Sequence, residues 1–211
     1  MEKNNNYQDK VKDWHNKHAK EYNHKIDSRT KTLYKWVNNK TVLNLGAGTG
    51  DDTFPISKKA KEVIGIDFSP EMIQQANLKN KHKNVRFIEA NILKMPFRDK
   101  TFDIAYSIST LYYIKDLPKA LKEIHRVLKP GGKALLEIGN SKSINSKWDK
   151  IMFKVPQFHH TPKQAMHHIF NAGFKTITNI HYYKLHPYTN KEVFNKTLQQ
   201  YAFRIVFEVT R

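Results

Sequence analysis

Between residues 41 and 138, short runs rich in Val, Ile and Phe alternate with stretches of helical period, and no other feature of the chain constrains its fold as strongly. The apolar runs are Val42-Leu-Asn-Leu45, Glu62-Val-Ile-Gly-Ile66, Val85-Arg-Phe-Ile-Glu89, Phe102-Asp-Ile-Ala-Tyr-Ser107 and Lys133-Ala-Leu-Leu-Glu-Ile138. Strands separated by helices imply a parallel, doubly wound α/β sheet. Helix starts are written in the same stretch. Ser69-Pro70-Glu71 offers a capping hydroxyl, proline at the first helical position and an acid at the positive dipole end. Asp116 and Pro118 open a further helix through Ala120, Ile124 and Val127, which Pro130-Gly131-Gly132 is expected to end before the strand from Lys133. Beyond it, Thr161-Pro-Lys-Gln164 is a capping box, Gly173 a helix stop, Thr176 to Ile180 a strand, and the alternating stretch Tyr201 to Val209 the last strand. Ahead of the sheet, Tyr7, Val11, Trp14, His18 and Tyr22 recur at helical spacing, predicting an amphipathic helix from Tyr7 to Asn23. A short second helix carries Leu33, Trp36 and Val37.

A chain of 211 residues, 39% hydrophobic, is enough for one sizeable core. The expected division is an N-terminal helical lid over residues 1–40 and a single α/β domain over 41–211. No window reaches the apolar length of a membrane span and the N-terminus lacks a secretory pattern, so a cytoplasmic location is expected. Zero cysteines excludes disulfides, thiolate nucleophiles and Cys-based zinc sites. The net charge of +18 raises nucleic acid as a partner. Yet the lysines are scattered among asparagines, as in Lys3-Asn4-Asn5-Asn6 and Asn80-Lys81-His82-Lys83-Asn84, which reads as compositional drift more than as a dedicated face.

The first strand ends in the glycine turn Gly46-Ala47-Gly48-Thr49-Gly50, and the second ends at Asp67. In open parallel sheets, ligands bind outside the carboxyl ends of the strands, where the strand order reverses. A side chain at Gly46 or Gly48 would obstruct a tight turn or a ligand's approach to the backbone, and Asp67 can accept hydrogen bonds from both hydroxyls of a ribose. Taken alone, the turn is equally an ordinary strand-to-helix connection; Asp67 tips it towards a nucleoside site. A nicotinamide or flavin dinucleotide requires Gly-x-Gly-x-x-Gly, and here Asp51 replaces the third glycine, with Asp52 beside it. Two carboxylates near a pyrophosphate disfavour that ligand.

Six segments in order carry a family resemblance across nearly the whole chain: Val42-Leu-Asn-Leu-Gly-Ala-Gly-Thr-Gly50, Val63-Ile-Gly-Ile-Asp-Phe-Ser-Pro-Glu-Met72, Glu89-Ala-Asn-Ile-Leu-Lys-Met-Pro-Phe97, Phe102-Asp-Ile-Ala-Tyr-Ser107, Leu128-Lys-Pro-Gly-Gly132 and Asn171-Ala-Gly-Phe174. The chain resembles the class I S-adenosylmethionine (SAM)-dependent methyltransferases, in the small-molecule branch that includes the ubiquinone and menaquinone biosynthesis type. The resemblance implies a Rossmann-like, seven-stranded, mostly parallel sheet with an antiparallel last strand. It also implies SAM as cofactor, held by the turn Gly46, Ala47 and Gly48 and by Asp67. Phe68 and Met72 would flank the adenine, Asn91 and Ile92 would meet its edge and face, and Ser107 would lie beside the methionine moiety. For Phe68, Met72 and Ile92 plain core packing is an equal alternative. Where Asn44 and Asn91 stand the family commonly has acids, so the contacts expected of them carry no charge here.

By the same resemblance, Trp14, Ala19 and Tyr22 fold over the cofactor, with Tyr22 covering the sulfonium; a helix glued to the sheet by those aromatics is the alternative. The long connection Gly139 to His160, with Trp148, Met152, Phe153 and Phe158, joins that helix around the acceptor. Tyr112 and Tyr113 follow the fourth strand, where such enzymes often contact substrate. His15, His18, His159 and His160 are candidate bases by position, but among 11 histidines none is singled out, and no catalytic residue is assigned. Adjacent histidines on one element point apart, so no metal is expected. The expected function is methyl transfer from SAM to a small molecule. Its alternatives are an RNA methyltransferase, suggested by the charge, and a SAM-binding or S-adenosylhomocysteine (SAH)-binding protein without transfer activity, suggested by Asn44, Asn91 and the missing base.

Overall fold

The computed structural model describes residues 5–21, 28–143, 155–183, 202 and 204–211. Within them the strands are β1 (Thr41–Leu45), β2 (Glu62–Asp67), β3 (Val85–Glu89), β4 (Phe102–Ser107), β5 (Leu128–Gly139), β6 (Thr176–Tyr183) and β7 (Arg204–Thr210). They form one seven-stranded sheet in the order β3-β2-β1-β4-β5-β7-β6. Only β7 runs against its neighbours, pairing antiparallel with β5 and β6. The helices are α1 (Asn5–His18), α2 (Ser28–Trp36), α3 (Thr53–Ser57), α4 (Pro70–Lys79), α5 (Leu117–Val127) and α6 (Pro162–Asn171), with a single 3-10 turn at Leu111–Tyr113.

Period-two alternation assigns the two cores. Leu43, Leu45, Ile64, Ile66, Ala105, Leu136 and Phe207 pack on one face against α5 and α6. Val42, Val63, Ile104, Tyr106, Leu135 and Val206 pack on the other against α2, α3 and α4. Leu33 and Val37 are fully buried in that second core, so α2 is packed as tightly as the strands it covers. α5 turns Leu117, Ala120, Leu121, Ile124 and Val127 inward, all buried, and each buried Leu or Ile contributes about 1.5–3 kcal/mol.

The expected caps are present. Ser69 Oγ accepts from Met72 N at 3.1 Å, Asp116 Oδ1 from Lys119 N at 3.0 Å, and Thr161 and Gln164 form the reciprocal capping box. Gly173 closes α6 with φ +105°.

Three boundaries differ from the sequence reading. β5 starts at Leu128, pairing with Phe102, before the register jumps so that Ile104 faces Lys133. The intervening Pro130-Gly131-Gly132 bulges without ending the strand, held by Arg211 N donating to Gly132 O at 2.9 Å. β6 runs on to Tyr183 because β7 pairs with it that far. α1 ends at His18, followed by a turn in which Glu21 N donates to His18 O.

Candidate functional site

β1 and β4 are adjacent, while the chain leaves β1 towards β2 and β3 on one side and passes from β4 to β5 on the other, so their carboxyl ends border the switch point of the sheet. A cavity of about 890 Å³, including its open mouth, lies there. Its floor is the turn Gly46, Ala47, Gly48 and Thr49; one wall carries Asp67, Phe68 and Met72, and a second Ala90, Asn91 and Ile92. Ile108, Ser109, Thr110, Tyr113 and Ile114 close it from the loop after β4, and Gln8, Val11 and His15 of α1 roof it.

Gly46 sits at φ +78°, and a Cβ there would overlap the Thr110 side chain. Thr110 Oγ1 itself donates to Ile108 O at 3.2 Å. Gly46→Ala therefore combines backbone strain with a clash that displaces the loop after β4. We expect SAH affinity measured by calorimetry to fall by about tenfold or more, because strain of this kind costs about 1–3 kcal/mol; unchanged affinity would show that the turn yields freely. Ser109 is also held in the left-handed region, at φ 59°, so both loops facing the cavity depart from ordinary backbone.

Asp67 is 7% exposed. Its Oδ2 accepts from Gly48 N at 2.9 Å and its Oδ1 from Ser69 N at 3.0 Å. Each oxygen keeps a second lone pair, directed by the fixed carboxyl plane. Burial raises its pKa; the backbone N–H groups of Ser69, Gly48 and Phe68 and the nearby His15 oppose that shift. Asp51 is tied to Lys79 at 3.3 Å and accepts from Thr49 Oγ1 at 2.8 Å. With Asp52, three aspartates line the cavity and, among the described residues, no Lys or Arg does, in a chain of net charge +18. Such a wall favours a cationic ligand and disfavours a pyrophosphate.

Of the residues singled out from sequence, Gly46, Ala47, Gly48, Asp67, Phe68, Met72, Asn91 and Ile92 meet in this cavity. Asn91 Oδ1 accepts from Leu93 N at 2.8 Å, fixing its amide. Asn44 and Ser107 are not on the wall. Asn44 is buried behind the turn, where its Nδ2 donates to Thr53 Oγ1 at 2.9 Å. Ser107 is fully buried at the end of β4, and its hydroxyl has no hydrogen-bond partner among the described residues. Tyr22 lies outside the described residues, as do Trp148, Met152 and Phe153. Trp14 is turned from the cavity and stacks on His18 at 4.4 Å.

α1 reaches the cavity through Gln8, Val11 and His15. Asn16 Oδ1 accepts from Ser69 Oγ at 2.5 Å, Lys12 pairs with Glu89 at 3.2 Å, and Tyr7 meets Phe158 edge-on at 5.3 Å. Of the four candidate histidines only His15 stands on the wall. His159 packs against Gly139 and pairs with Gln157, and His160 meets His168 edge-on. Gln8, Val11, Ser109 and Thr110 were not anticipated; only tertiary contact reveals them, since nothing in their sequence context differs from a surface helix or a loop. Among the described residues no three His, Asp or Glu side chains cluster as a metal site.

Residues 43–136 match the family described as "Methyltransferase domain". Over 112 residues the chain is 36% identical to a 2-phytyl-1,4-naphtoquinone methyltransferase of Nostoc, covering 48% of this chain and 49% of that protein. Over 101 residues it is 40% identical to a demethylmenaquinone methyltransferase of Lactococcus lactis, covering 45% and 40%. The chain thus spans half or less of these relatives' length. A SAM-dependent methyltransferase from Mesorhizobium loti superposes with TM-score 0.70 at 16% identity, covering 87% of this chain and 98% of that one, which establishes the shared fold.

Proposed function

We propose that this protein, whose residues 43–136 match the methyltransferase-domain family, is a class I SAM-dependent enzyme that transfers a methyl group from SAM to a small-molecule acceptor. The observation that carries the reading is the cavity wall: three aspartates and, among the described residues, no Lys or Arg, beside a glycine turn, in a strongly basic protein. SAM carries a sulfonium and no phosphate, which suits that wall by charge, and when bound it supplies a methyl group that a nucleophile takes in line from the sulfonium.

In this proposal the spare lone pairs of Asp67 take the ribose hydroxyls, and Phe68, Met72, Asn91 and Ile92 bracket the adenine. The bare turn Gly46-Ala47-Gly48 admits the amino-acid tail; Asn44 and Ser107 support that end from behind. α1, Thr110 and Tyr113 close the acceptor end and exclude water, so that orientation supplies most of the rate. The proposal keeps 41–211 as the catalytic unit and gives the lid role within 1–40 to α1. Among the described residues no helix is long and apolar enough to cross a membrane, and a cytoplasmic location is part of the same proposal.

The named relatives methylate quinones, which supports a planar, largely apolar acceptor. We expect calorimetry to detect SAM and SAH, and methyl-labelled SAM to label a small-molecule extract but not an RNA pool. Binding should change little between 50 and 200 mM salt, in contrast to the steep loss for a nucleic-acid site. Label appearing only in RNA would overturn the acceptor class; SAH binding with no transfer to either pool would mark a non-catalytic binding protein.

A further inference from the structure

The candidate base left unassigned by the sequence is chosen by position, since of the four histidines His15 is the one on the cavity wall, and a hydrogen bond fixes its tautomer. His15 Nδ1 lies 2.8 Å from Val11 O, one helical turn back. A carbonyl oxygen only accepts, so Nδ1 carries the proton and Nε2, on the far side of the ring, carries the lone pair. The ring stands on the cavity wall, its neighbours Tyr113 edge-on at 5.1 Å and Phe68 at 6.3 Å. Charged and titratable groups face it from three elements: Asp67 from β2, His18 from its own helix and Tyr113 from the turn after β4. Burial lowers its pKa from the usual histidine value; the Val11 bond and the Asp67 carboxylate oppose that shift, and His18 adds to it. Burial thus favours the neutral imidazole.

Two of the three wall aspartates are already engaged, Asp67 despite the burial that raises its pKa. Asp51 is ion-paired with Lys79, and Asp67 already accepts from two backbone N–H groups. A carboxylate is ordinarily a weak base near pH 7 and a phenol holds its own proton.

Resting on the methyl-transfer reading above, we propose that His15 Nε2 is the proton acceptor of the reaction, and that the acceptor is a neutral X–H nucleophile such as a phenol, a quinol or an enol. As the X–C bond forms, the S–C pair stays on sulfur and the X–H proton passes to Nε2. The imidazolium returns it to water after the product leaves. His15 is then a catalytic residue on a helix outside the sheet, so the base is in place only while α1 is docked on the sheet.

The test uses the full chain and three readouts. Imidazole 15N spectra at pH 7.5 should show His15 as the Nδ1–H tautomer; an Nε2–H tautomer overturns the proposal without any acceptor being needed. Transfer from methyl-labelled SAM to a 1,4-naphthoquinol and to catechol should lose rate tenfold per pH unit along an acid limb set by the ionisation of His15. His15→Gln should lower kcat about 100-fold or more, the usual scale of general-base catalysis, abolish that limb and leave KM within threefold. A kcat within threefold of the parent with the limb retained overturns the assignment. SAH affinity of His15→Gln should stay within threefold, whereas a parent protein that fails to bind SAH overturns the methyl-transfer reading itself.

Discussion

Asp67→Ala should weaken SAH binding by about 100-fold or more. Two ribose hydroxyls donating to a carboxylate make charge-assisted bonds of about 1.5–3 kcal/mol each, and about 1.4 kcal/mol is tenfold in affinity. The substitution also strips the acceptor from Gly48 N and Ser69 N, which loosens both the glycine turn and the cap of α4. Asp67→Asn separates the two effects. It keeps an oxygen for one of those N–H groups but removes the charge, so its loss should be intermediate. Because the contact is to the ribose, 5′-methylthioadenosine, which lacks the amino-acid tail, should lose affinity as SAH does. Calorimetry on a variant shown by circular dichroism to be folded decides it: SAH affinity within threefold of the parent would remove the ribose from Asp67.

The second large effect concerns the fold. Glu137 of β5 is fully buried, and its carboxylate pairs with Arg29 of α2 and, at 3.4 Å, with Arg204 of β7. The Arg204 guanidinium also lies 3.7 Å from the centroid of the Tyr112 ring, which in turn meets Tyr113 on the cavity wall. Glu137→Ala would leave two buried guanidiniums without this carboxylate. Breaking a buried pair in this way costs about 3–5 kcal/mol, out of a total stability of about 5–15 kcal/mol for a native domain. For a chain of this size the melting temperature should drop by about 10 °C, at about 2–4 °C per kcal/mol. Glu137→Gln, which keeps the shape and one oxygen, should lose less. A melting temperature within 2 °C of the parent for Glu137→Ala would show that the arginines find other partners at no cost.

Much of the sheet and its caps was legible because those signals are local. A strand buried on both faces must be a short apolar run, a helix start needs an acceptor for its free N–H groups, and both requirements are met within a few neighbouring residues, as at Val63 to Ile66 and Ser69. The placement of Gly46, Gly48 and Asp67 around one cavity was legible for the same reason: the glycines follow β1 and Asp67 ends β2, and the carboxyl ends of parallel strands lie at one edge. Pro130-Gly131-Gly132 misled because it carries the local marks of a stop, while the ladder with Phe102 and the chain end at Arg211 hold it as a bulge.

Sequence by itself determined the sheet, the switch point and the carboxylate beside it, since backbone hydrogen bonding and side-chain periodicity depend on adjacent residues. Tertiary structure alone decided which face of α1 looks into the cavity, putting Val11 and His15 there and turning Trp14 away. It alone moved Asn44 and Ser107 behind the wall and distinguished His15 from His18, His159 and His160. The reason is physical: helical period states that a helix has two faces, but which face is covered, and by what, depends on contacts between residues far apart in the chain.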